Sequence, residues 1–266
     1  MEYVLIAAVA LLAAGLTLFS GFGLGTLLLP AFAVFFSPEV AIGATAVVHF
    51  ANNCFKLALI GRDADRRVVV RFGLPAVAAA VVGALLLGQL ARFNDPIVGY
   101  EVAGMAATVT PVGLTVGVLI MLFAVIEWLP WVKRLEVPAK YLPVGGVFSG
   151  FFGGLSGHQG ALRAAFLIRS GLSRDQFVAT AAVCSAMVDF TRLVVYAGGA
   201  LLLRRAAGQE TATGGLWSLV GVGCVSAFVG SFLGVRLVKK VTLGWLRLFV
   251  AAALGVFGVV MASGVL

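Results

Sequence analysis

Along this chain, apolar stretches follow one another with only short polar interruptions, the spacing expected of helices that cross a hydrocarbon core about 30 Å thick. Ten segments can be drawn, at approximately 3–20, 22–36, 39–60, 68–90, 104–126, 141–155, 159–171, 175–203, 215–238 and 242–265. Segments two and seven are short. They are read as crossings, because ten crossings keep the basic bias on one side; the alternative is half-helices or re-entrant turns, which a bilayer tolerates only where protein or a water-filled cavity covers the backbone. The pattern predicts an all-α, polytopic integral membrane bundle.

Composition strengthens that reading. Of 266 residues, 61% are hydrophobic and 11% charged, and the mean hydropathy is +1.09. A soluble domain cannot hide so much apolar surface behind so few charges. The net charge of +8 would suit a nucleic-acid partner in a soluble protein, but here the basic residues come in short bursts between apolar runs, so no nucleic acid is expected. If all ten segments cross, Arg62, Arg66, Arg67, Lys133, Arg134, Lys140, Arg169, Arg174, Lys239 and Lys240 share one side. Only Arg92, Arg163, Arg204 and Arg205 lie near the other. The first side is then cytoplasmic and both termini face outward. Met1-Glu2-Tyr3 lacks the basic region of a signal peptide, so the first apolar run is expected to remain as a membrane helix. Cys54, Cys184 and Cys224 sit inside apolar runs without CxxC spacing and read as packing residues, not as disulfides or zinc ligands.

The chain repeats itself. At a shift of 136 residues Ser20-Gly21 falls on Ser156-Gly157, Glu39 on Asp175, His49 on Ser185, Asn53 on Asp189 and Lys56 on Arg192. Five segments per half is an odd number, so the second copy must enter the membrane from the opposite side, giving an inverted repeat. The expected halves are 1–132 and 133–266, joined by the basic stretch EWLPWVKRLEVPAK from Glu127 to Lys140, where Pro130 and Pro138 interrupt any helix.

Polar residues inside the segments carry the candidate chemistry. His49, Asn52, Asn53 and Lys56 are spaced i, i+3, i+4, i+7 and share one helix face; Ser185, Asp189 and Arg192 form the matching face of the other half. A charge at mid-membrane costs about 2.5–3.5 kcal/mol on translocon scales, so these faces should line a cavity or pair with each other. A plainer reading has Asp189 and Arg192 as a neutral intrahelical pair and Lys56 snorkelling to the interface.

Two glycine clusters precede the short segments: Gly21, Gly23 and Gly25 in SGFGLG, and Gly154, Gly157 and Gly160 in GLSGHQGALR. They suit broken helices whose N-terminal N–H groups and positive dipole ends meet an anion, or else close helix packing. The second cluster adds His158, Gln159 and Arg163. A guanidinium fork fits a carboxylate or sulfonate, and histidine supplies a donor that titrates near neutrality. Alternatively, His158 is satisfied by a backbone carbonyl and Arg163 reaches lipid phosphate. Gly-x-x-x-Gly spacing at Gly113/Gly117 and Gly230/Gly234 is read as helix packing.

With these residues in view, the chain resembles the TauE/SafE-type sulfite exporter family, also called TSUP. The resemblance lies in SGFGLGTLLLPAF, VAIGATAVVHFANN, the charged turn GRDADRR, and the same order from GGLSGHQGALRAAFLI onward. Gly157-His158-Gln159-Gly160 departs from the family's more glycine-rich second signature toward polar chemistry. Membership implies a multi-pass transporter of a bacterial plasma membrane that exports sulfite, sulfoacetate or another small organosulfur anion.

The sequence therefore predicts a secondary transporter, not an enzyme, that alternates access around a midplane site. Substrate would be held by Arg163, Arg192, His158, Gln159, His49, Asn52, Asn53 and Lys56, with Gly23, Gly25, Gly157 and Gly160 giving close backbone approach. Asp189, His49 and His158 would couple protons to transport. No metal or cofactor is expected, and no GxxxxGK[ST] loop offers direct ATP driving. The alternatives are an anion channel and an intramembrane serine hydrolase using Ser156 in Gly154-Leu155-Ser156-Gly157.

Overall fold

The computed structural model describes residues 1–20, 24–102, 104–129, 137–198, 213–237 and 244–265. Among these, helices form at all ten segments: α1 (Glu2–Ser20), α2 (Leu24–Ala33), α3 (Pro38–Ile60), α4 (Arg66–Arg92, with a π turn at Val69–Gly73), α5 (Pro111–Trp128), α6 (Leu142–Ser156), α7 (Gly160–Leu167), α8 (Arg174–Gly198), α9 (Thr213–Leu237) and α10 (Gly244–Ala262). Arg66–Arg92, Arg174–Gly198 and Gly215–Gly234 are each long and apolar enough to cross a membrane.

Local sequence sets the helix ends. Pro38 and Pro111 occupy the first turns of α3 and α5, where a missing N–H costs nothing, and Thr110 accepts from Gly113 N at 3.1 Å. Asp65 caps α4 through Val68 N at 2.9 Å. Ahead of α8, Ser173 and Gln176 form a reciprocal box: Gln176 N donates to Ser173 Oγ at 3.3 Å, and Ser173 N to Gln176 Oε1 at 3.0 Å.

Two expectations need correction. Segment five does not begin at 104, nor is the chain wholly helical, because β1 (Val98–Val102) and β2 (Met105–Val109) pair as an antiparallel hairpin, Val98 opposite Val109. Its β-branched residues favour extended backbone, Gly104 takes φ 79° at the turn, and Pro111 delays the helix. The hairpin docks on the end of α10 through Thr108 N to Gly264 O, 2.8 Å, and Tyr100 OH to Ser263 O, 2.6 Å.

Segments two and seven are short, as the sequence reading has them. With ten and eight residues, α2 and α7 extend only about 15 and 12 Å, half a bilayer or less. Helix α7 turns back along α6: a side chain at Gly145 would collide with the ring of Phe166, while Ser149 Oγ donates to Gln159 O at 3.0 Å. Residues near the start of α6 thus face residues near the end of α7.

Long helices pack in four pairs: α1 on α9, α4 on α6, α5 on α10 and α3 on α8. Small residues bring the axes close. Side chains at Gly146, Gly150 and Gly154 would strike the carbonyls of Phe72, Ala76 and Ala80. A side chain at Gly230 would strike Leu11 O, and a β-carbon on Gly117 would lie 2.7 Å from Gly258 O, the packing role expected of Gly117 and Gly230. One apolar core joins α1, α2, α3, α9 and parts of their neighbours; a second joins α4, α6, α7 and α8. Between them lie the buried polar residues.

Candidate functional site

The packing of α3 against α8 turns both polar faces toward each other. At their meeting point Asp189 and Arg192 are both 0% exposed. Asp189 Oδ2 accepts from His49 Nδ1 at 2.6 Å and from Asn53 Nδ2 at 2.9 Å. Its Oδ1 accepts from Gln159 Nε2 at 3.0 Å and lies 2.8 Å from Arg192 Nη2. A carboxylate offers about four lone-pair sites, so Asp189 is saturated. Its partners come from three places in the chain: α3, α8 and the turn between α6 and α7.

That turn exists because Gly157 ends α6 in the left-handed conformation, φ 85°, ψ −1°. A side chain there would also sit 2.6 Å from Arg192 Nη1, so glycine lets the guanidinium rest against the backbone. Gly25, at the start of α2, approaches the same place: a β-carbon on it would be 3.4 Å from Gly157 O and 3.7 Å from His49 Cδ2. The two broken segments therefore meet beside His49. Gly160 opens α7, whereas Gly23 lies outside the described residues.

Arg163 is buried, and its Nη1 donates to Ser185 Oγ at 3.0 Å, one turn before Asp189. This replaces the lipid-phosphate alternative, which would need the guanidinium exposed. Lys56 is likewise buried rather than snorkelling. With the Asn52 amide oriented to satisfy its surroundings, Nδ2 donates to Ala227 O at 3.1 Å and lies 2.8 Å from Ser231 Oγ, and Oδ1 accepts from Lys56 Nζ at 3.3 Å. Asn52 and Lys56 thus face α9, one strip away from the carboxylate, though Lys56 and Arg163 both stand within electrostatic range of Asp189. The intrahelical pair of Asp189 and Arg192 forms as one reading of the sequence had it, but it sits inside a larger network.

His158 bonds back onto Ser156, through its backbone and its hydroxyl. Its Nδ1 lies 3.0 Å from Ser156 Oγ, and its ring stacks on Phe123 with centroids 5.4 Å apart and 8° between planes. The Ser156 hydroxyl also reaches Phe152 O at 3.2 Å, which leaves its oxygen free to accept when the imidazole carries its hydrogen on Nδ1. Buried atoms without a hydrogen-bond partner here include His158 Nε2, Gln159 Oε1, and Arg192 Nε and Nη1. Each such group costs about 1–3 kcal/mol when left unmet, a deficit that a bound solute can relieve.

Sequence reasoning passed over several contributors. Tyr196 continues the α8 face at i+4 from Arg192 and donates to Gly154 O at 2.5 Å, a spacing that could have revealed it. Ser149, which fixes the turn through Gln159 O, and Ser231, across the interface from Asn52, carry no signal of their own in an apolar helix. Among the described residues, no three His, Cys, Asp or Glu side chains gather to hold a metal ion.

A family model described as "Sulfite exporter TauE/SafE" matches residues 6–261. No curated protein matches the chain.

Proposed function

The chain belongs to the sulfite exporter TauE/SafE family, a family of multi-pass membrane transporters, and from that premise we propose that it is a secondary transporter that exports a small anion by alternating access. The observation that carries the proposal is electrostatic. Lys56, Arg163 and Arg192 are buried around Asp189, so with neutral histidines the cluster holds positive charge in excess. Buried charge of one sign is expensive in a bilayer. A bound anion neutralises it, and the saturated carboxylate obliges that anion to seek the guanidinium donors. A sulfur oxyanion or organosulfonate such as sulfite or sulfoacetate has the matching oxygens.

The proposed frame is a pair of inverted repeats, 1–132 and 133–266, in a bacterial plasma membrane with the arginine-rich turn 61–67 on the cytoplasmic side. Helix pairing supports it: exchanging each segment with its counterpart five places on turns the α1–α9 pair into α6–α4 and leaves α3–α8 and α5–α10 unchanged. So does Asn53, which bonds its own counterpart 136 residues away, Asp189. Matched residues touch only beside the axis that relates them. Asp189, His49 and His158 are the proposed proton-coupling groups, since a proton on the carboxylate frees Arg192 for the anion.

A hydrolase using Ser156 fits poorly. Its hydroxyl donates to Phe152 O, so its proton is not presented to His158 as a general base requires. The dense bonding around Asp189 favours a carrier over an open channel. Flux into proteoliposomes tests the proposal, comparing sulfite, sulfoacetate, thiosulfate and a simple carboxylate with and without a pH gradient. Saturable sulfur-anion flux that falls at least tenfold in Arg163→Ala is the expected result; no flux of any of these anions, or undiminished flux in the variant, would overturn it.

A further inference from the structure

The unmet groups around the α6–α7 turn are of two kinds, and the second kind restricts the solute. Arg192 Nε and Nη1 are donors, which any oxyanion can satisfy. His158 Nε2 and Gln159 Oε1 are acceptors. Gln159 is fixed in that sense because its Nε2 is held by Asp189 Oδ1 at 3.0 Å. His158 Nε2 is an acceptor in the tautomer whose Nδ1–H points to Ser156, the side on which the ring finds its bonds while Nε2 has none. The two acceptors belong to adjacent residues. Both are buried, and both adjoin the guanidinium through Gly157 and the shared oxygen of Asp189.

A solute with acceptor atoms alone, such as a simple alkylsulfonate, would meet the guanidinium and leave both lone pairs dry and facing its own negative oxygens. We infer that the site selects a monoanion that also carries a hydrogen-bond donor, so that an O–H engages His158 Nε2 or Gln159 Oε1 while the oxyanion engages Arg192. The excess positive charge of Lys56, Arg163 and Arg192 disfavours an ammonium donor, which leaves a hydroxyl: a hydroxyalkylsulfonate, or hydrogen sulfite rather than fully deprotonated sulfite. This rests on the anion-transport reading and narrows it. A site built to bond a hydroxyl rejects the analogue lacking it far more strongly than an apolar pocket distinguishes shapes.

Two sulfonates of equal heavy-atom count decide the matter: 2-hydroxyethanesulfonate, and propane-1-sulfonate, in which a methyl replaces the hydroxyl. Each is titrated against the purified full-length protein in detergent and used as a competitor of sulfite flux in proteoliposomes. The expected result is at least tenfold tighter binding and stronger competition by the hydroxy compound. In His158→Phe, which keeps a ring over Phe123 and deletes the acceptor, that preference should shrink several-fold. Equal affinities, or tighter binding of propane-1-sulfonate, would overturn the inference and leave the anion reading intact. Binding of neither would overturn both. The comparison within the unaltered protein stands even if the variant fails to fold.

Discussion

Helices α3 and α8 stand at matching positions in the sequence and press polar faces together, yet they bring unlike chemistry to the contact. From α3 come a histidine, two amides and a lysine; from α8 come a serine, the carboxylate and a guanidinium. Where the matched pair itself meets, Asn53 faces Asp189 at 2.9 Å. A strictly repeated pair would set carboxylate against carboxylate, which repels, or amide against amide, which offers no charge to balance Arg192. The contrast teaches that the scaffold can repeat while the chemistry cannot. One member must carry the charge and the other must solvate it.

The same truncation at the two matched positions is the strongest way to break this comparison. Asp189→Ala removes the acceptor of four donors and leaves Arg192 as a buried unpaired cation, a loss of about 3–5 kcal/mol for a broken buried pair. Thermal unfolding in detergent should show it as a large drop, and flux should vanish. Asn53→Ala deletes one donor of four and should cost only about 1–2 kcal/mol by the same measurement. Equal penalties would mean that Asp189 is no hub.

Lys56→Met sharpens the comparison at its edge. The methionine stem replaces the lysine stem, and one excess positive charge disappears. Unfolding temperature should hold or rise, while anion affinity falls by about tenfold, the equivalent of about 1.4 kcal/mol. Unchanged affinity in a titration would place Lys56 outside the anion's field.

The polar faces were legible in the sequence because helix periodicity alone fixes which residues share a face. The spacing of His49, Asn53 and Lys56, and that of Ser185, Asp189 and Arg192, needed no knowledge of neighbours. The short segments and the glycine break at Gly157 were equally readable, since backbone conformation is a local matter. The hairpin at 98–109 was missed because five-residue strands merge with the apolar run that follows, and hydropathy alone does not mark the boundary that Pro111 sets.

What the sequence determined, then, was an array of apolar helices with two interrupted elements and an unusual set of buried polar residues, since chain-local propensities and hydropathy suffice for that. Only the tertiary structure decided that α7 folds back along α6, that Gln159 and His49 reach one carboxylate, and that Arg163 turns inward to Ser185. Those are contacts between residues 21 to 140 positions apart. In a bilayer, where lipid is as apolar as the helix surfaces, such contacts are chosen by close packing and hydrogen-bond satisfaction, which no single segment encodes.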